Sequence, residues 1–261
     1  MTPPALFHQI VYGPVHSRRL GFSLGVNLLP AHGKWCSFDC IYCECGWNAD
    51  GAGDTQLPSR QKVAHALEQR LIELSGLNSL PDAITFSGNG EPTLHPDFKS
   101  IIEDTSNLRN QYAPNAQVCV LSNVTQIGRL DVFEALLKVD KRIFKIDSAF
   151  DQTVQKIDQP APGYDLDKTI QGLMRFKGDF SLQTLFVRGF HNGLEVNNTT
   201  PVELDAWLEL IQKLRPKEVM IYAIDRATPA KELVKVPLTE LEAIAGRVRS
   251  LQMNIKLNVA G

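Results

Sequence analysis

Short apolar runs rich in β-branched residues alternate along this chain with longer stretches whose apolar positions recur every three or four residues. The runs are GVNLLP (25–30), AITFSG (83–88), QVCVLSN (117–123), RIFKIDS (142–148), FSLQTLFVRG (180–189) and EVMIYAID (218–225). The stretches between them predict helices by their spacing. Ser59 is placed to cap one that puts Val63, Leu67, Leu71 and Leu74 on a single face. Residues 96–108 carry Phe98, Ile101, Ile102 and Leu108, and 127–139 carry Leu130, Phe133, Leu136 and Leu137; 164–177, 201–214 and 238–251 complete six. Strand then helix, six times over, is the pattern of parallel βα units. A closed eightfold barrel takes about 250 residues with short loops, and here roughly sixty go to the amino segment and one long loop. The expectation is therefore a single α/β domain over 1–261, a partial (β/α)6 TIM-like barrel of parallel strands with outer helices. Residues 1–24 form an amino-terminal segment and the barrel runs from about 25 to 261. A doubly wound open sheet is the competing arrangement, and NIKLNVAG (254–261) offers a seventh short strand.

The strands end in polar or glycine-rich residues: SGNGEP, SN, DS, RGFHNG and DRATP. In parallel α/β folds ligands sit at the carboxyl ends of the strands, so these endings mark the region to search. A hydrophobic fraction of 43% in 261 residues can fill a core. No basic leader precedes a long apolar run and no eighteen apolar residues stand together, so a cytoplasmic protein that engages no membrane is expected. With 27 Lys and Arg against 29 Asp and Glu the formal charge is −2, and no global basic field points to nucleic acid, which is disfavoured as a partner. The densest basic spot near the amino end, HSRRLG (16–21), reads as a solvated loop or a capping pair.

Four of the five cysteines lie in KWCSFDCIYCECGWN (34–48). An odd number of clustered thiols makes no disulfide framework, and the arrangement suits metal ligands. Cys36, Cys40 and Cys43 form C-x3-C-x2-C. Three thiolates on a short loop can wrap three irons of a [4Fe–4S] cluster and leave the fourth open, whereas a ferredoxin cluster takes four. A structural zinc module is the lesser alternative, because four thiols within ten residues strain a tetrahedron. Cys43 and Cys45 stand too close to ligate one cluster together, so Cys45 reads as a non-ligand; Cys119 reads as a small buried hydrophobe. Trp35 and Trp47 bracket the loop, as shields or as ordinary packing.

C-x3-C-x2-C with an aromatic residue, Tyr42, before its last cysteine resembles the signature of the radical S-adenosylmethionine (SAM) superfamily. The resemblance implies an enzyme in which the open iron binds SAM, and reductive cleavage yields a 5′-deoxyadenosyl radical that abstracts hydrogen from a substrate. A reductant such as flavodoxin or ferredoxin would supply the electron. SGNGEP (87–92) resembles the family's Gly-Gly-Glu element, which implies that Gly88, Gly90 and Glu91 contact the amino group of SAM. Asn89 between the glycines departs from that element. As a dinucleotide fingerprint the stretch fails, since Thr93 stands where the third glycine belongs. By the same resemblance Ser122, Asn123, Asp147 and Ser148 meet the ribose and carboxylate of SAM, with capping of the following helix as the plain alternative. Arg188 has two candidate partners, the SAM carboxylate and an acidic neighbour.

GPVHSRRLGFSLGVNLLP, FSGNGEPTLHP, LSNVT, KIDSAFDQTVQKIDQP and IYAIDRATPA extend the resemblance, over residues 11 to 230. They are similar to the group that holds the wybutosine-synthesis Fe–S oxidoreductases and many uncharacterised bacterial members. Those enzymes carry a second cluster on cysteines upstream of the radical motif; no cysteine precedes Cys36 here, which disfavours tRNA tricycle chemistry. Lys34, Lys145 and Arg226 either line an anion pocket or are salt-bridged, and Tyr222, Asp225 and Arg226 are candidate substrate contacts. An iron–sulfur carrier or sensor that cleaves no SAM is the rival function, and it gives no use to SGNGEP.

Overall fold

An antiparallel strand pair opens the chain: β1 (Val11–Ser17) lies against β2 (Gly21–Val26) in a computed structural model that describes residues 5–17 and 20–260. Arg18 and Arg19 of the basic HSRRLG stretch lie outside the described residues. After β2 come the cysteine loop and α1 (Arg60–Gly76), then β3 (Ala83–Phe86), α2 (Phe98–Tyr112), β4 (Gln117–Ser122), α3 (Leu130–Lys138) and β5 (Lys141–Lys145). The second half runs α4 (Asp151–Ile157), α5 (Leu166–Met174), β6 (Ser181–His191), β7 (Leu194–Asn197), α6 (Pro201–Leu214), β8 (Glu218–Ala223), β9 (Glu232–Lys235), α7 (Leu238–Arg249) and β10 (Lys256–Ala260). Helix starts follow the residues that cap them. Ser59, Asp165 and Thr200 accept from the backbone N–H of Lys62, Lys168 and Glu203.

The sheet order is β1-β2-β3-β4-β5-β6-β8-β10, with every pair from β2 onward parallel. A doubly wound sheet would reverse its order at a switch point. This one never does, so right-handed crossovers put the helices on one face, and the sheet curls into a half barrel with its helices outside. The seventh parallel strand is β10, paired with β8 along its length.

Three differences from the sequence reading have local causes. β2 stops at Val26 rather than at residue 30 because the Asn27 side chain turns the chain, accepting from Leu29 N–H and donating to Leu29 O. β1, β7 and β9 are short antiparallel strands, and α4 has only two buried residues, Val154 and Ile157, too few to print a period. β6 pairs with β8 as far as Phe186 and then runs on between β7 and β9 as a small antiparallel sheet beyond the parallel one.

The two faces of the sheet differ in kind. Outward, Leu24, Ile84, Phe86, Val118, Phe144 and Val219 meet the helices in one large apolar core, each large side chain adding about 1.5–3 kcal/mol by leaving water. Inward, residues are smaller and more polar. Ser23 Oγ and Thr85 Oγ1 are 2.7 Å apart, Cys119 stands opposite Thr85 with no exposure, and Tyr12 covers Gly25, where a Cβ would meet its ring at 2.1 Å. A second apolar cluster fills the rest of the inner face: Phe38, Ile41 and Tyr42 of the cysteine loop pack on Ile157, Leu185 and Val187. Among the described residues no helix is long and apolar enough to cross a membrane.

Candidate functional site

The cysteine loop lies against the inner face at the carboxyl ends of the strands and is held there by backbone hydrogen bonds. Asp39 N–H donates to Asp158 O at 3.0 Å, Ile41 N–H to Ile157 O at 2.9 Å, Ala161 N–H to Ser37 O at 2.8 Å, and Ala230 N–H to Ile41 O at 3.1 Å. The loop thus pairs with the segment that follows α4 and with the loop after β8. Asn48 fastens its far end, donating to Cys36 O and Phe38 O and accepting from Cys36 N–H.

Cys40 is buried, and Cys36, Cys43 and Cys45 are half-buried. All three cysteines of C-x3-C-x2-C act on one cation. Lys34 is buried, donating to Asp39 at 2.9 Å and Gly46 O at 3.1 Å. Burial works to lower its pKa, and the fields of Cys43, Cys40 and Cys36 override that and raise it. Burial pushes the Cys36 thiol up to about 12 and Cys40 well up, against the pull of Lys34 and Lys145. Cys43 is brought down to about 6, first by a hydrogen bond from Cys45 and then, against burial, by Lys34. Cys45 is raised by that same bond and by burial, and it leans on Gly88 O and Ala5 O at 3.5 and 3.8 Å. Among the described residues no three His, Cys, Asp or Glu side chains close around one point as a single metal ion requires. The fit to an iron–sulfur centre lies in the donors: three thiols of one loop, with the buried Lys34 two residues before the first.

SGNGEP is built into the same region. At Gly90 φ is +141° and a Cβ would meet Trp35 O at 2.0 Å; at Gly88 a Cβ would meet Asn27 Oδ1 at 2.2 Å. These glycines admit the cysteine loop and the Asn27 turn. Asn89, fully buried, explains the departure from Gly-Gly-Glu. Its side chain accepts from Phe7 N–H and donates to Phe7 O and Pro30 O, and its carbonyl accepts from Trp35 N–H. It latches the amino segment over the loop, where Ala5 N–H reaches Glu44 O.

Glu91 is buried and accepts from Asn123 N–H at 2.7 Å, Ser122 Oγ at 2.9 Å and Thr93 N–H at 3.1 Å. Burial pushes its carboxyl up while those donors pull it down. Asn123 in turn donates to Ser37 Oγ at 2.9 Å and lies 3.6 Å from Cys36 Sγ. The ends of β3 and β4 are thereby joined to the first cysteine. On the other side, Asp147 accepts from the Tyr42 hydroxyl and from Leu185 N–H at 2.9 Å and pairs with Lys145 at 3.0 Å. Asn198, which the sequence reading missed, donates to Asp147 O and Leu185 O.

Other candidates lie elsewhere. Ser148 donates to the buried Glu203 at 2.6 Å. Arg188 pairs with Glu240 of α7 at 2.9 Å, on the sheet face opposite the one that Leu185 and Val187 present to the loop, so the acidic neighbour is its partner. Tyr222 packs at the rim of the inner cluster; Asp225 pairs with Lys235, and Arg226 with Glu44 at 2.8 Å. Lys34, Lys145 and Arg226 are all salt-bridged, as their plainer reading had it. Trp47 stacks on His191, and Trp35 is 39% exposed.

Two cavities border the loop. One of about 380 Å³ is lined by Ser37, Thr125, Gly128, Ala161 and Tyr164. The other, about 680 Å³, is lined by Trp47, Gln159, Phe190, His191 and Lys231.

A family model described as the radical SAM superfamily matches residues 31–182. A UPF0026 protein of Synechocystis is 30% identical over 84% of this chain and 77% of its own length. A GTPase Obg of Brachyspira hyodysenteriae is 30% identical over 92% of this chain, which spans only 34% of that protein. Among solved structures, TYW1 with a lysine–pyruvate adduct superposes with a TM-score of 0.63 at 16% identity, over 87% of this chain and 73% of that one. A radical SAM methyltransferase from Sphaerobacter thermophilus gives 0.66 at 14% identity, over 91% and 65%. At such identities the likeness is one of fold.

Proposed function

This chain belongs to the radical SAM superfamily, and from that premise we propose that it is a radical SAM enzyme with one [4Fe–4S] cluster on Cys36, Cys40 and Cys43. The observation that carries the reading is that those three thiols stand on one loop held by backbone hydrogen bonds at the carboxyl ends of the strands, with Cys36 Sγ 3.6 Å from the Asn123 side chain at the end of β4. The chemistry the cluster supplies when bound is one-electron reduction of the SAM sulfonium, giving methionine and a 5′-deoxyadenosyl radical that takes hydrogen from a substrate. The cavity beside Ser37, one residue from Cys36, supports a SAM site there, although none of Gly88, Gly90, Glu91, Ser122, Asn123, Asp147, Ser148 and Arg188 lines it.

The protein's own residues give order rather than protons. Glu91, Ser122 and Asn123 fix the end of β4 beside Cys36: Glu91 accepts from Ser122 Oγ and Asn123 N–H, and the Asn123 side chain lies 3.6 Å from Cys36 Sγ. Tyr42 and Asp147 hold the last turn of the loop, and Phe38, Ile41 and Leu185 keep water from its inner side. Cys45 stays outside the ligand set, directed at backbone carbonyls and at Cys43.

The test is made on anaerobically reconstituted protein with SAM and dithionite, by quantifying 5′-deoxyadenosine. Product that disappears in Cys40→Ala and persists in Cys45→Ala is the expected result. A fully loaded protein that neither forms product nor changes its cluster EPR signal with SAM would leave an iron–sulfur carrier. Failure of Cys45→Ala to bind iron would overturn the ligand set.

A further inference from the structure

Beneath the cysteine loop lies a buried cation that the reading above leaves without a task. Lys145 ends β5 on the inner face with its side chain 14% exposed. Its ammonium pairs with Asp147 at 3.0 Å and with Asp158, and it sits over the rings of Phe38 and Tyr42 at 5.1 and 5.4 Å from their centroids. Those two rings flank Cys40 in the sequence.

Each carboxylate continues into the loop. Asp147 takes the hydroxyl of Tyr42, the residue before Cys43, and is itself set by Leu185 N–H. Asp158 begins the segment that pairs with the loop: its own carbonyl accepts from Asp39 N–H and that of Ile157 accepts from Ile41 N–H, one on either side of Cys40. Lys145 therefore joins two arms that grip the loop before and after the central cysteine. A buried ion pair is a poor way to gain stability, since an apolar replacement of similar volume often does as well. Its value lies in fixing one geometry.

We propose that Lys145 is a positioning residue that, through Asp147 and Asp158, holds the cysteine loop in its ligand-ready shape before any iron arrives. The same fixed positive charge sits against Phe38 and Tyr42, the two rings that flank Cys40. When the cluster is present and takes one electron from an external donor, the added negative charge is stabilised by Lys145, which raises the midpoint potential. This second consequence rests on the cluster reading; the first does not.

The experiment uses the full chain and four forms: wild type, Lys145→Arg, Lys145→Met, and the double variant Lys145→Met with Asp158→Asn. The double variant removes the cation together with the charge of Asp158, so the net charge of the group is unchanged and Asp147 keeps the Tyr42 hydroxyl and Leu185 N–H. Hydrogen exchange of cluster-free protein is followed in peptides covering residues 37–43, with peptides of β3 and β4 as the internal reference. The double variant should exchange at least about tenfold faster in 37–43 and unchanged in the reference, with Lys145→Arg close to wild type. After reconstitution, an EPR-monitored redox titration should place the single variant Lys145→Met, which loses the cation and keeps both carboxylates, at a lower potential than the charge-balanced double variant, a difference that loose packing alone would not produce in fully loaded centres. Wild-type exchange in 37–43 of the double variant overturns the proposal, as does loss of protection spread equally over β3 and β4. A chain that assembles no cluster overturns the proposed function instead, and the exchange result still decides the role of Lys145.

Discussion

The outer and inner faces of the half barrel are stabilised by different means. Outside, side chains such as Phe98 meet other apolar side chains and direction matters little: Phe98 is fully buried, edge-on to Phe86 with centroids 6.3 Å apart. Inside, the cysteine loop is held by hydrogen bonds whose donors and acceptors are each specified, from Glu91 on one side to Asp147 on the other. The outer layer supplies magnitude and the inner layer supplies position. A mutation outside should therefore cost stability and leave the site's chemistry in the surviving folded molecules, whereas one inside should disturb the loop at a smaller cost.

The largest effect should come from Phe98→Ala. Loss of a buried ring and the cavity it leaves should cost about 3–5 kcal/mol in urea denaturation, with iron bound per folded molecule unchanged. Loss of iron in proportion would mean that the two faces are not separable. Next comes Glu91→Ala, which leaves Asn123 N–H, Ser122 Oγ and Thr93 N–H without their acceptor. Water entering the space of the carboxylate re-satisfies most of them, so the net cost should be about 1–3 kcal/mol, and SAM affinity measured by calorimetry should fall because the end of β4 beside Cys36 loosens. Equal affinity would take Glu91 out of the site.

A smaller effect tests the inner face at its other end. Glu218 accepts from Ser181 Oγ at 2.6 Å and pairs with Lys141 at 2.8 Å at the amino ends of β5, β6 and β8. Burial pushes its carboxyl up, and Lys141 and Ser181 outweigh that and hold it below the usual Glu range. The folded state thus binds the proton less tightly than the unfolded chain. The contribution is complete above the unfolded pKa of about 4.3 and fades as pH falls through the folded value. Acid titration of thermal stability should therefore show a slope in wild type that Glu218→Gln flattens. A slope that persists belongs to other carboxylates.

The smallest effect is assigned to Arg188→Ala. A half-exposed pair with Glu240 is worth about 0–1 kcal/mol, and because Arg188 faces the helix layer, SAM affinity should not change. A tenfold loss, about 1.4 kcal/mol, would show that the side chain swings to the inner face.

The contrast between faces also sets what could be read from the sequence. β3, β4 and β8 announced themselves because β-branched residues recur in strands packed on two sides, and α1 because Ser59 and four leucine-like positions fix its start and face. The site's outline was legible for a related reason: Glu91, Ser122, Asn123 and Asp147 are polar residues where apolar strands stop, and all four are buried beside the cysteine loop. What stayed hidden depends on distance along the chain. Asn89 grips residues 59 and 82 positions away, and Asn198 reaches back 51 to Asp147. For Lys145 the sequence offers a pocket cation and a salt bridge alike, because it does not show that Asp158 will lie beside it. The antiparallel strands β7 and β9 failed for want of length, since four residues carry no period.

The latch and the two arms have a consequence for how the protein comes into being. Residues 34–48 leave the ribosome well before residues 157–161 and 230, which hold them in place, and synthesis proceeds at about 5–20 residues per second. For several seconds four neighbouring thiols have no housing. Iron delivered in that interval would meet a loop without geometry, and an oxidant would meet thiols free to pair with one another. On the cluster reading, loading therefore belongs after translation, to a finished chain whose loop is already shaped, and its yield should depend more on how the nascent chain is protected than on how much iron is supplied.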